Sequence, residues 1–316
     1  MVETGHRESA NVGYHSDLYV VSRIICSARY LIAAIAAFAT AVAVIVAFVL
    51  PNIYRAEALL APNLEEGPQG LSGLADQYAG IASLAGLDLN TGSTDKIALG
   101  LSVLQSRRFL SDFIERHDIL VPLMASSHWD ADTEQLIIDD DIYDVENEEW
   151  VRDFSPPRKQ VPSRQEAYEE FEQILFVRQD RDTGFVTINV EHYSPVLAKR
   201  WVDWLVEDLN SNMRNRDVSR ARQAIEYLNK QVNATSLAGM QEVFYRLIEE
   251  QTKTVMLAEA SPEYLLTTID DAVVPEIREK PQRALIVLFG AILGVVIGIL
   301  AQLSFQFYRS NAMSRD

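Results

Sequence analysis

Two stretches of about twenty residues without a charged side chain, Leu31–Leu50 and Ala284–Leu303, lie near the two ends of this chain. A helix of that length rises about 30 Å, the thickness of bilayer hydrocarbon, so both read as membrane spans, residues 31–50 and 284–304. Two spans place both termini on one side and the 233 residues from Pro51 to Arg283 on the other. The first apolar run exceeds that of a signal peptide, and LPNIYRAEA is a poor cleavage site, so it reads as an uncleaved signal anchor. Arg23 and Arg29 before it, against Arg55 after it, favour a cytoplasmic N-terminus, residues 1–30, and a short cytoplasmic tail, 305–316. The second span disagrees, with Arg278, Lys280 and Arg283 before it and only Arg309 and Arg315 after it.

Small residues recur at every fourth position in both spans. Gly290, Gly294 and Gly298 mark the second; Ala33, Ala37 and Ala41 mark the first. Lipid supplies no hydrophobic drive between helices, so such spacing is a face for close helix packing or partner contact, although glycine is also simply frequent in membrane helices. Pro275 and Pro281 precede the second span. They either set the angle at which the domain meets the membrane or serve ordinary helix-start chemistry.

The middle carries 23 basic and 41 acidic residues, which accounts for the chain's net charge of −17. That balance argues against nucleic acid, which needs a clustered basic surface. Cys26, the one cysteine, lies before the first span, so the large domain is held by its own core without disulfides.

Within the domain, Tyr54–Pro62 interleaves polar and apolar residues as a half-buried strand does. Gly67–Gly92 suggests short helical turns broken by glycine. Lys96–His117 predicts a helix with Leu99, Val103, Phe109, Phe113 and Ile114 on one side and Thr94 or Asp95 as its cap. Residues 126–160, rich in acids, read as a surface insertion. Ser163–Gln173 predicts a helix, and ILFVRQD with GFVTINVEH predicts a hairpin around Arg181–Gly184. From Pro195 the pattern is helical for about sixty residues, to about 258, with Ala198, Trp201, Val202, Leu205 and Leu209 as a stripe, a bend near Met213–Asp217 and a break at Asn233–Ser236. Such helices pack beside copies of themselves or form a local hairpin. Tyr264–Val274 predicts a last strand. The fold class is α+β: a membrane-proximal mixed sheet, whose first and last strands pair, with long protruding helices between two terminal transmembrane helices.

Catalytic readings find no site. There is no GxxxxGK[ST] or GxGxxG loop, and His6, His15, His117, His128 and His192 lack ligand spacing. DADTE, Asp130–Glu134, spaces acids like a calcium loop but lacks the glycine and closing glutamate, so it reads as a solvated face. Asp270 and Asp271 are one acid pair among many in so acidic a chain. No catalytic residue, cofactor or metal is expected.

The chain resembles the polysaccharide co-polymerases, the Wzz-type chain-length determinants of bacterial surface polysaccharides. The likeness runs from about Tyr30 to Tyr308 and rests on YRAEALLAP with GLSGLADQYAGIASLAGLDL, LSVLQSRRFLSDFI with Ser106, Arg107 and Phe109, GFVTINVEHYSPVLAKRWVDWLVEDLNSNMR onward, and DDAVVPEIREKPQRALIVLFGAILGVVIG. Ala272 and Gln282 stand where the family often has a further proline and a lysine. The resemblance implies a non-enzymatic inner-membrane protein with a periplasmic domain. It implies a closed homo-oligomer that acts as a scaffold for a separate polysaccharide polymerase, with a lipid-linked glycan as a further possible partner. O-antigen of lipopolysaccharide or a related exopolysaccharide is the regulated polymer. No ATP-binding domain follows the second span, so the kinase-free branch is expected. The rival with the same topology is a two-span periplasmic sensory receptor, which needs a cytoplasmic output domain.

Overall fold

The computed structural model describes residues 29–63 and 91–313. Cys26, His6, His15 and the glycine-rich stretch up to residue 90 lie outside the described residues. The elements, in chain order, are α1 (Arg29–Val49), β1 (Tyr54–Pro62), α2 (Thr91–Leu104), α3 (Arg107–Arg116), α4 (Leu120–Met124), β2 (Ser126–Asp130), β3 (Gln135–Ile138), β4 (Tyr143–Asp144), β5 (Glu149–Trp150), α5 (Arg164–Ile174), β6 (Leu175–Gln179), β7 (Val186–His192), α6 (Pro195–Ala234), α7 (Ala238–Ala260), β8 (Leu266–Asp270) and α8 (Arg283–Met313). They divide into two units, residues 52–279 and the unit that holds α1 and α8.

In the larger unit β6, β7, β1 and β8 form one sheet in that order, and every neighbouring pair is antiparallel. The expected mixed sheet is therefore corrected. β7 and β8 do run the same way, but β1 lies between them, so no two parallel strands are hydrogen-bonded. Alternation decides which face is buried. Ala56, Ala58 and Leu60 of β1 stand opposite Val190, Ile188 and Val186 of β7, and all six are buried. Over that face lies the start of α6, whose Trp201, Val202, Leu205 and Leu209 are wholly buried. Phe113 of α3 and Phe171 of α5 complete the layer, their rings 5.4 Å apart, with Phe171 5.7 Å from Trp201.

Local chemistry sets the helix starts. Ser194 accepts the Leu197 N–H and Pro195 takes the first turn of α6, where no N–H is needed. Ser163 and Glu166 close a capping box on α5. The single helix expected over 96–117 is two helices. α2 begins already at Thr91 and ends at Leu104, and Ser106 starts α3 by accepting the Phe109 N–H. The break turns the apolar stripe, so Phe109, Phe113 and Ile114 are buried while Leu99 is exposed. No break interrupts α6 at Met213–Asp217.

The acidic insertion is structured, with β2–β3 and β4–β5 as small hairpins. Its acids build the turns: Asp130 accepts hydrogen bonds from the Thr133 hydroxyl and the Asp132 N–H, and the first of these does most to hold its carboxyl below the usual range. Arg152 anchors the insertion to α5, bonding Glu166 at 2.7 Å and the Lys159 and Gln160 carbonyls.

α6 and α7 form an antiparallel hairpin rooted in the sheet. Buried Asn210 accepts the N–H groups of Leu265 and Leu266 and donates to the Leu266 carbonyl, so α6 fixes where β8 starts. The Tyr264 hydroxyl donates to Asp217, which also pairs with Lys96 of α2 at 3.3 Å. Farther along, Arg222 pairs with Glu259 across the two helices, and Gln241 donates to the Thr235 carbonyl at the turn.

His192 ends β7 inside this core. The Ser194 N–H donates to its Nδ1 at 3.0 Å, so the proton sits on Nε2, which donates to the Pro122 carbonyl at 2.9 Å. Burial pushes its pKa from 6.5 to about 4, with the two hydrogen bonds opposing the shift. The unfolded chain therefore binds a proton between pH 6.5 and 4 that the fold does not. The associated stability, on the order of 3 kcal/mol, is complete above pH 6.5 and is lost as the pH falls toward 4. Thermal melts of the full chain in detergent will show a steeper fall over this window than melts of His192→Gln, and parallel curves would contradict the assignment.

Candidate functional site

Three features remain after the core is accounted for: the packing of the apolar helices, the end of the sheet where the chain joins them, and the outer face of the hairpin.

α1 and α8 pack along their lengths, and both contain segments long and apolar enough to cross a membrane. The three glycines of α8 lie on the contact. A Cβ on Gly290 would overlap that of Ala43; one on Gly294 would come 2.7 Å from Ala39 Cβ and 2.8 Å from Ala36 Cα; one on Gly298 would come 3.1 Å from Ile32 Cα. Each distance is shorter than ordinary carbon contact, so only glycine lets the helices close to this separation. The glycines thus meet α1 of their own chain. On α1 the contacting residues are Ile32, Ala36, Ala39 and Ala43, whereas Ala33, Ala37 and Ala41 are exposed. The Thr40 hydroxyl donates back to the Ala36 carbonyl, which satisfies it within the helix.

In the larger unit the chain's two junctions with these helices are tied to each other. The Glu279 N–H donates to the Ile53 carbonyl at 2.8 Å, and the Arg55 guanidinium lies 3.1 Å from Glu279 and 2.5 Å from Glu191. Glu191 is buried, and Arg55 is its cross-strand partner in the β1–β7 register. The hydrogen bond to Glu191 raises the Arg55 pKa further, so its guanidinium stays charged at any ordinary pH. Arg55 also lies over the Phe176 ring. Reading the sequence missed this cluster: Arg55 and Glu191 alternate into a strand face like any polar residue, and their pairing spans 136 positions. Pro275 is half-buried in the segment that leads to Glu279, and the Pro281 carbonyl accepts the Arg283 N–H that opens α8.

The hairpin keeps a second apolar stripe. On α7 Phe244 and Ile248 are half-buried and Ala258 is buried, yet Met240, Val243, Leu247 and Leu257 are exposed. Among the described residues no group of three or more His, Cys, Asp and Glu gathers as a metal site would require. His117 stacks on Trp204 at 4.2 Å and bonds Asp208 at 3.1 Å, a contact between α3 and α6.

Residues 16–117, about a third of the chain, match the family model of Wzz, the chain length determinant protein. No curated protein matches the chain in sequence. Among solved structures, a full-length bacterial polysaccharide co-polymerase is 11% identical, with 91% of this chain and 96% of that one covered at a TM-score of 0.37. A fragment of WzzB, a polysaccharide co-polymerase from Salmonella Typhimurium, is 8% identical, with 72% of this chain and 100% of that one covered at a TM-score of 0.28. These two likenesses are too distant to carry an argument, and the fold rests on the geometry above.

The glycine contact has a direct test. In a Cys26→Ser background, Ala43→Cys with Gly290→Cys will form an intrachain disulfide under mild oxidation, because the two Cβ positions face each other at less than the roughly 3.5–4.5 Å a disulfide spans and a helix shift of about 1–2 Å brings them to it. Adding Gly294→Leu will abolish it by separating the helices. Crosslinking that is absent in the pair, or unchanged by Gly294→Leu, would contradict the packing.

Proposed function

We propose that this chain is a non-enzymatic polysaccharide co-polymerase that sets the chain length of a bacterial surface polysaccharide. The observation that carries this reading is the match of residues 16–117 to the chain length determinant family, which takes in α1, β1, α2 and α3. Residues 31–50 and 284–304 cross the inner membrane, 1–30 and 305–316 are cytoplasmic, and 51–283 form the periplasmic domain.

The working unit is a closed homo-oligomer. Exposed apolar side chains along α7 support it, because a stripe at helical spacing that its own chain leaves open is covered when a neighbouring copy packs beside it. Within each copy the seam of Gly290, Gly294 and Gly298 holds the two spans together. The outward small-residue face with Ala33, Ala37 and Ala41 is then the part of the span pair open to the polymerase. Pro275 and Pro281 shape the approach to the second span. A separate polymerase, which extends O-antigen or a related exopolysaccharide on its lipid-linked carrier, is held by this scaffold, and the assembly decides how far extension proceeds.

Deleting the chain from its host and separating the surface polysaccharide by electrophoresis tests the reading. Loss of a preferred modal length, regained when the chain is restored, is the expected result. An unchanged ladder would overturn it.

A further inference from the structure

The segment that links β8 to α8 carries apolar side chains the domain does not bury. Ile277 is 82% exposed and Val273 68%, and Val274 and Ile269 are exposed with them. Single exposed apolar residues are ordinary, but four within nine positions, Ile269 near the end of β8 and the other three on the irregular backbone after it, form a patch. Its place in the chain says what covers it. Ile277 is six residues from the start of α8, a reach of at most about 20 Å, and Glu279 beside it is bonded to Ile53, four residues beyond the end of α1. By chain length alone Ile277 stays within about 20 Å of the point where α8 begins, and the rest of the patch follows it in the chain. Arg278, exposed, begins the run Arg278, Lys280, Arg283 whose placement contradicts the charge rule for topology.

We propose that residues 269–278 form an interfacial anchor: Ile277, Val273 and Val274 enter the boundary between headgroups and acyl chains, and Arg278 meets anionic lipid phosphates. Side chains of this kind insert about 5–10 Å, with basic groups held at the headgroup level. Asp270, Asp271 and Glu276, the carboxylates of the same stretch, keep it from going deeper. The basic run before α8 thus serves lipid contact on the domain's side of the membrane, which explains why it does not follow the topology rule. The proposal rests on α1 and α8 spanning the bilayer, part of the function proposed above.

The test uses the full chain with Cys26→Ser in phosphatidylethanolamine vesicles that contain phosphatidylglycerol. A bimane probe is attached at Ile277→Cys, at Tyr227→Cys on the exposed face of α6, or at Phe289→Cys on the exposed face of α8. Lipids spin-labelled at a shallow acyl position are expected to quench the Ile277 probe several-fold more than the Tyr227 probe, while deep-labelled lipids quench the Phe289 probe. If Phe289 is quenched but Ile277 no more than Tyr227, the anchor is overturned and the span stands. If Phe289 is not quenched, the spanning reading itself fails and the anchor with it. An Ile277 probe shielded from aqueous iodide yet untouched by labelled lipid would show that a protein surface covers the patch, and would also overturn the proposal.

Discussion

Central strand β1 organises this molecule. It follows the first apolar helix directly and is hydrogen-bonded along one edge to β7 and along the other to β8, the strand that leads to the second. A central strand satisfies its N–H and C=O groups on both sides, so its two neighbours are fixed in register once its buried alternation is fixed. The whole helical hairpin is therefore inserted between two strands that β1 holds in place. α6 can leave the sheet and α7 return to it without disturbing either junction with the apolar helices.

The long helix does two jobs along its length. Forty residues rise about 60 Å. Its first part covers the sheet with Trp201, Val202, Leu205, Leu209 and Met213, and from Ala221 onward its buried residues face α7 instead. Asn210 and Asp217 sit at the change, where their hydrogen bonds to β8 and Tyr264 replace apolar packing. Beyond that point two helices must cover each other alone. A pair of amphipathic helices with an additional apolar face gains by packing against more copies, which is the energetic basis of the homo-oligomer proposed above. The apolar helices follow a different rule if they span a bilayer as proposed, since in lipid association depends on close contact and not on hiding apolar surface. The glycines of α8 against Ala36, Ala39 and Ala43 supply that contact.

Much of this was legible in the residues. Both apolar helices, β1, the β6–β7 hairpin and the start of α6 announce themselves through unbroken apolar runs, period-two alternation, and Pro195 after Ser194. The pairing of β1 with β8 followed from their positions beside the two spans. What stayed hidden depends on contacts far apart in sequence. The antiparallel character of the whole sheet rests on β1 lying between β7 and β8, which no local pattern encodes. The stop between α2 and α3 is a single serine cap inside a run that is helical by periodicity. On α1 one alanine set recurs at every fourth position and another at steps of three and four, and only the partner helix selects Ala36, Ala39 and Ala43 over Ala33, Ala37 and Ala41. The Arg55–Glu191–Glu279 cluster is scattered over the domain and carries no motif.

In the proposed homo-oligomer, copies of this chain meet at the hairpin's open apolar face. The most direct measurement is the mass of the full-length protein in detergent, by light scattering corrected for the bound micelle, with and without Val243→Lys and Leu247→Lys. A particle of several 35.5 kDa chains that falls toward a single chain in the double variant is the predicted result. A single chain in the unaltered protein, or a multimer that the two lysines leave intact, would contradict it.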